Sequence, residues 1–293
     1  MLRYAPSTVR ATAGAIATLL AVLILAGTTY QGVATSLERH RFERPGGLAS
    51  VGDYQLHIYC VGEGSPTVVL EAAAGTTSSA WGLVQPEVAR TTRVCSYDRS
   101  GLGWSEGDGR YVPSRVSTDL RALLDQAGEQ RPLVVVGYEL GASFARLFAA
   151  RYPADTAAIV LVDDPLANSV MPPPAMVTAW PWLARVGLLR VTGTLSPVAA
   201  GLPGDAGGAM RAFLNRPDHL TQAARELSRF EEVRAAARDA RLESSVTLVA
   251  VPLGTRGQPA VLVTVAHATA VTRAIEATVL DLRVVNAANA PEP

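Results

Sequence analysis

The sequence predicts an α/β fold, a mostly parallel β-sheet with helices on both faces. Three observations carry that expectation. Short apolar runs alternate with stretches of helical periodicity from residue 47 to residue 165, as strands joined by crossover helices do. "VVVGYELG" (Val134 to Gly141) turns an apolar run sharply into a helix, with Gly137 and Gly141 around the turn. The alternation breaks at about residue 167 and resumes at about 244, as it would around an insertion between strands of one sheet.

The apolar segment "ATAGAIATLLAVLILAGTTY" (Ala11 to Tyr30) carries no charge. It has the length of roughly 20 residues that a helix needs to cross a bilayer. An uncleaved transmembrane anchor at 11–30 is the preferred reading, because the run exceeds the usual core of a signal peptide. A cleaved signal is the alternative, since "GVA" ending at Ala34 offers small residues for a cut. Residues 1–10 form a flank holding Arg3 and Arg10, and Arg39, Arg41 and Arg44 follow the span. Positive charge on both sides gives no vote on orientation. Residues 31–46 are expected to be a polar linker closed by Pro45-Gly46-Gly47, with His40 solvated.

The elements of residues 47–285 follow in order. "LASVGDYQLHIYCVG" reads as two strands around a Gly-Asp turn, with His57 on a strand face. "TVVLEAAAG" is a buried strand entering a small-residue loop, "SSAWGLVQPEVAR" a serine-capped helix and "TRVCSYDR" a strand. "VSTDLRALLDQAG" is a helix, "PLVVVG" a strand, "LGASFARLFAARYP" a helix stopped before Pro153, and "AAIVLVDDP" a strand. From about 167 to 244 short apolar helices and one charged helix form a cap, the charges placed as on a solvated face. "SVTLVAVPLG" and "AVLVTVAH" return to strand, "TAVTRAIEATVLDLRVV" closes the domain, and residues 286–293 read as a disordered tail.

At 293 residues the chain suits one large domain with an insertion. Its formal net charge is zero and all its basic residues are arginine, with no basic tract, so nucleic-acid binding is not expected. No cofactor or metal site is expected either.

Four motifs in order, "YCVGEGSPTVVLEA", "RVCSYDRSGLGWS", "VVVGYELGASFARLFAARYP" and "IVLVDDP", resemble the α/β-hydrolase fold family. The second matches that family's Asp-x-x-Gly-x-Gly-x-Ser loop through Asp98, Gly101, Gly103 and Ser105. The resemblance covers Gly47 to about Val285, and membrane-anchored bacterial members share an apolar amino-terminal segment. It implies a helical cap and hydrolysis of small ester-type substrates. It also implies that the strands bearing Cys60 and Cys95 lie side by side. A disulfide between them would call for an oxidising compartment, and two buried free thiols are the alternative. The expectation is a single-pass membrane protein whose soluble domain is extracytoplasmic.

The family's chemistry needs a nucleophile on the strained Gly-x-Ser-x-Gly turn, two backbone N–H groups as an oxyanion hole, and a histidine oriented by an acid. Carried onto this sequence, the turn holds Glu139 in place of serine, and Leu140 with Ala73 or Ala74 would supply the oxyanion hole. His267 falls where the family places its histidine, and it is equally readable as a strand-end residue. No carboxylate follows "SVTLVAV". Asp163 or Asp164 could stand in, against the simpler reading of a strand-end turn. His219, in the cap, has no support from the family pattern.

A carboxylate attacking an ester would form an anhydride, which is no easier to break than the ester. Attack at a saturated carbon suits a carboxylate better. Dehalogenases and epoxide hydrolases of this fold work so, but with Asp, one methylene shorter, and with tryptophan or cap tyrosines as stabilisers. Here Leu140 follows the nucleophile position and no tyrosine comes after Tyr152; Trp180 and Trp182 in the cap could substitute, with apolar lid packing the simpler reading. Three readings follow. The first is a family member without esterase activity that binds a small apolar ligand under its cap. The second is an active hydrolase using Glu139 as nucleophile or base with His267. The third is an interaction protein at the lipid bilayer.

Overall fold

A computed structural model of the chain describes residues 7–164, 166, 174–253 and 265–288. Seven strands form one sheet: β1 (Gly47–Val51), β2 (Tyr54–Val61), β3 (Thr67–Glu71), β4 (Val94–Tyr97), β5 (Leu133–Tyr138), β6 (Thr156–Val162) and β7 (Thr247–Val251), in the order β1-β2-β4-β3-β5-β6-β7. β1 and β2 pair antiparallel, β2 pairs antiparallel with β4, and the other neighbours are parallel. β5 sits between β3 and β6, and all six of its residues are buried, as a parallel strand covered on both faces must be.

The helices are α1 (Ser7–Arg41), α2 (Gln85–Val88), α3 (Val116–Gln126), α4 (Leu140–Arg151), α5 (Pro174–Arg185), α6 (Leu188–Thr192), α7 (Gly204–Phe213), α8 (Pro217–Ser228), α9 (Phe230–Asp239) and α10 (Val265–Ala288). On one face of the sheet Leu120, Leu123 and Leu124 of α3 and Phe148 of α4 pack against Leu56, Val69, Val135 and Ile159. On the other, Val88 of α2 and Val271, Ile275 and Val279 of α10 pack against Val68, Val134, Val136 and Val160. Alternate residues of each strand thus serve opposite layers. Helices α5 to α9 lie between β6 and β7, where the sequence places its insertion.

Four expectations need correction. The polar linker at 31–46 is mostly helical, because α1 runs unbroken to Arg41 and its last turns have partners on the insertion: Gln31 donates to the Asn215 carbonyl at 2.6 Å, and Glu38 pairs with Arg190. The expected helix "SSAWGLVQPEVAR" is a short 3₁₀ turn at Ser78–Trp81 followed by the brief α2, without a side-chain cap. It is interrupted where Gly82 lies so close to the insertion that a β-carbon there would meet Ala206 at 2.8 Å. The strand expected at "AVLVTVAH" lies largely outside the described residues, and its last three positions, Val265 to His267, open α10 instead. The tail expected at 286–293 is helical to Ala288, and the rest of it also lies outside the described residues.

Cys60 and Cys95 face each other in the β2–β4 register and are joined as a disulfide, with sulfurs 2.06 Å apart. The bond closes a loop with a sequence separation of 35 on the antiparallel side of the sheet. Its removal frees that loop only in the unfolded chain, so replacing both cysteines by serine is expected to lower stability by about 2–4 kcal/mol. Urea unfolding of the oxidised wild type against the double variant measures this, and reduced wild type should behave like the variant.

Candidate active site

The elbow after β5 is built by close backbone contact. A β-carbon on Gly137 would lie 2.2 Å from the Gly141 carbonyl, and one on Gly141 would lie 2.3 Å from the Glu71 carbonyl, so neither position tolerates a side chain. Glu139, between them, has φ of 52° and ψ of −116°, an uncommon conformation for a residue with a side chain. Such strain costs on the order of 1–3 kcal/mol and persists where the surroundings impose it. Here the Glu139 N–H donates to the Val162 carbonyl at 3.0 Å, while its own carbonyl accepts from Ala142. The backbone therefore holds the turn whatever side chain it carries.

That side chain folds back onto the loop after β3. Glu139 Oε2 accepts from the Ala74 N–H at 3.2 Å, and the Leu140 N–H also favours the charged carboxylate. These are the two sides of the hole expected from the family pattern; Ala73 instead contributes its carbonyl, which accepts from Arg99 and Thr76. Burial pushes the Glu139 carboxyl up from its ordinary range, assisted by the charge of Glu226, and outweighs the downward pull of the two N–H donors and of Arg99.

Beneath the loop lies a buried ion cluster. Arg99, just past β4, donates bidentately to Glu226 at 2.7 and 2.9 Å, to Glu71 at 2.6 Å, and to the carbonyls of Ala72 and Ala73 at 2.7 and 2.9 Å. Glu226 also accepts from the Gly75 N–H at 2.9 Å, and Glu71 accepts from the Tyr97 hydroxyl. Burial works against the Arg99 charge, but Glu226 first and Glu71 next outweigh it and hold the guanidinium well above its ordinary range. Glu226 belongs to α8, whose charges were expected on a solvated face; it is fully buried instead.

Two histidines that the sequence set aside are structural members of this region. His219 of α8 accepts from the Gly103 N–H at Nδ1 (3.1 Å) and donates from Nε2 to the Gly75 carbonyl at 3.0 Å. Burial lowers its pKa to about 4, and these partners suit the neutral ring. His57 places Nε2 2.6 Å from the Pro45 carbonyl and Nδ1 3.0 Å from Asp98. Asp98 further accepts from the N–H groups of Ser78 and Trp104 at 2.6 and 2.9 Å. Burial would raise its carboxyl, but the charge and hydrogen bond of His57, then those N–H donors, bring it below the usual carboxylate range. The Asp-x-x-Gly-x-Gly-x-Ser loop is thus a self-braced turn: Ser105 donates to the Asp98 carbonyl at 2.5 Å and accepts from the His57 N–H.

Asp163 has a positive φ of 44° at the end of β6 and accepts from the Leu253 N–H at 2.7 Å, which ties it to the chain leaving β7. Burial raises the Tyr138 hydroxyl above its ordinary range, with the charges of Glu139 and then Asp163 adding to it. Asp164 accepts from the Leu166 N–H and lies 3.4 Å from Arg146. His267 is the half-buried third residue of α10, next to Ala268, which packs in one cluster with Tyr138 and Val162. Tyr111, unnoticed in the sequence, packs near Leu140 and Phe144 and its hydroxyl has no hydrogen-bond partner among the described residues. A cleft of about 560 Å³ lies elsewhere, between Phe42 to Pro45, Ser78, Trp104 and α7. Cys60, Cys95 and Glu129 have metal-ligand spacing, yet the two sulfurs are bonded to each other and Glu129 is held by Arg93 at 2.6 and 2.7 Å.

The "Alpha/beta hydrolase family" profile matches residues 68–287, and the chain belongs to that family. It is 36% identical over 116 residues to an uncharacterized protein of Schizosaccharomyces pombe, the match covering 39% of this chain and 20% of that protein. It is 31% identical over 117 residues to an uncharacterized vacuolar membrane protein of Saccharomyces cerevisiae, covering 33% and 18%. The chain thus spans about a fifth of the length of these relatives. Among solved structures it resembles the enol-lactonase from Burkholderia xenovorans LB400, at a TM-score of 0.55 and 16% identity, covering 82% of this chain and all of that one, a likeness of fold.

Two stability measurements test the site. Replacing Arg99 by Met leaves Glu71 and Glu226 buried without a countercharge and is expected to cost about 3–5 kcal/mol, much of it restored when both carboxylates are also made Gln. Denaturant unfolding reads both variants. For Glu139 the linkage sign is set by its raised folded pKa. Stability present below the ordinary glutamate value, about 4.3, is lost as pH rises through the folded value. Glu139→Gln removes that loss, so its advantage over the wild type should grow from none near pH 4 to its largest at neutral pH.

Proposed function

We propose that the chain is a membrane-anchored member of the α/β-hydrolase family without serine-esterase activity, its elbow holding a carboxylate in the oxyanion hole. The observation that carries this reading is the 3.2 Å hydrogen bond from the Ala74 N–H to Glu139, with the adjacent Leu140 N–H also favouring the charged carboxylate. Those donors stabilise the charge that develops on a substrate carbonyl oxygen during acyl transfer. With Glu139 seated there, an ester lacks both a nucleophile that leads to a hydrolysable intermediate and a free site for its oxyanion.

Membrane attachment is supported by the one described helix long and apolar enough to cross a bilayer, α1, whose most apolar stretch is bare of contacts with the rest of the fold. The disulfide supports an extracytoplasmic domain, because such bonds persist in oxidising compartments. A carboxylate-based hydrolase is the second reading, favoured by the Tyr111 hydroxyl near Leu140, which has no hydrogen-bond partner among the described residues.

The test compares wild type, Glu139→Ser and Glu139→Gln on short-chain aryl esters and haloalkanes. The expected result is wild-type turnover of either substrate class no faster than that of Glu139→Gln. Turnover that Gln abolishes would overturn the proposal in favour of carboxylate catalysis. Esterase activity gained by the Ser variant alone would mark Glu139 as the block.

A further inference from the structure

The contacts of α1 divide it into two parts. Residues of the span from Val9 to Leu25, among them Leu19, Leu20, Leu23 and Ile24, are exposed, and Gly27 is the first residue to meet the insertion. A β-carbon on Gly27 would lie 2.2 Å from the Val186 carbonyl, so the helix and the α5–α6 turn are in backbone contact there. From that point one face of α1 stays docked, through Gln31 on Asn215, Glu38 on Arg190, and Phe42 against Gly208. The bare part, Val9 to Ala26, spans roughly 27 Å at the helical rise, close to the ~30 Å of a bilayer's hydrocarbon core. The helix becomes docked where it would leave the lipid, and the element it meets there is the α5–α6 turn.

That turn is flanked by apolar side chains facing away from the protein. Trp182 is 69% exposed and Val191 73%, with Leu188 also exposed, beside the exposed Tyr30 of α1. Arg185 lies over the Trp182 ring at 4.7 Å, and these two share a groove of about 340 Å³ with Arg225 and the hydroxyl residues Thr221 and Ser228, no carboxylate lining it. Apolar residues at the tip with tryptophan and arginine behind them fit the boundary between acyl chains and phosphates, where an aromatic ring sits at headgroup level and a guanidinium faces phosphate.

We propose that the α5–α6 region of the insertion docks on the bilayer surface beside the anchor, with Trp182, Leu188 and Val191 entering the interface and Arg185 and Arg225 facing lipid phosphates. This rests on the reading of α1 as a membrane anchor. The insertion would then be fixed to the membrane on one side while Glu226 and His219 hold it to the candidate site on the other.

The experiment uses the full chain reconstituted in phosphatidylcholine vesicles, with and without lipids brominated in the upper acyl chain, which quench nearby tryptophan. Trp182 emission is taken as the difference between wild type and Trp182→Phe, and flotation with the vesicles is measured alongside. The expected result is flotation of both proteins, at least twofold quenching of the Trp182 component by brominated lipid, and weak quenching of that component by aqueous acrylamide. Flotation with Trp182 open to acrylamide and untouched by brominated lipid would overturn the docking and leave the anchor standing. Trp182 shielded from both quenchers would mean that another copy of the chain covers the patch, also overturning it. Failure to float would remove the anchor reading and the docking together.

Discussion

Arg99 is the charge around which the candidate site is assembled. A buried guanidinium is tolerable only when its donors are matched, since the desolvation of two or three charges exceeds any single attraction between them. Here its nitrogens reach both oxygens of Glu226, one of Glu71 and two loop carbonyls. Those acceptors come from the end of β3, from the loop after it and from α8 of the insertion. One side chain thereby sets the distance between sheet and insertion and the path of the chain from Ala72 to Gly75.

The consequence for chemistry lies in where that path aims its N–H groups. Carbonyls of Ala72 and Ala73 point back at Arg99, and the Ala74 and Gly75 N–H groups point to Glu139 and Glu226. The oxyanion loop is thus held from behind by fixed charges and needs no ligand to order it. The elbow is equally independent of its occupant, because the shapes of Gly137 and Gly141 are set by backbone contact. A rigid hole and a rigid mount accept a carboxylate long enough to bridge them. A serine in the same place is two heavy atoms shorter and would leave the donors open, which is the arrangement an acyl-transfer enzyme requires. A glutamate at this position therefore satisfies the Ala74 donor from within, in a frame that does not depend on it.

The frame was legible in the sequence for the same reason. Strand–helix alternation and the paired glycines reflect local rules, periodicity and the exclusion of a β-carbon, which act over a few residues. The position of Glu139 on the elbow followed from them, whereas the parts expected of Leu140 and Ala74 came from the family resemblance. Glu226 and His219 were not legible, because they sit on a helix whose arginines and glutamates resemble a solvated face, and nothing local marks which of them turn inward. Their partners Arg99, Gly75 and Gly103 lie more than a hundred residues away. The linker expected at 31–46 was misread for a related reason: polar residues after an apolar run look like a linker until Gln31 and Glu38 find partners on the insertion.

The insertion is held on two sides by polar contacts of the same kind. Gln31 reaches the Asn215 carbonyl two residues before α8, and α8 itself carries His219 and Glu226 to the loop of Gly75. A continuous line of contacts thus runs from α1 to the candidate oxyanion hole. Such a line fixes position, but it transmits change only if some element along it has a second seat of similar energy. For α8 a second seat would have to re-pair a buried glutamate, a buried arginine and both nitrogens of a buried histidine together. Moving any one alone leaves an unpaired polar group in the interior. The physical expectation is a single seat, so α1 and the candidate site keep one fixed position relative to each other.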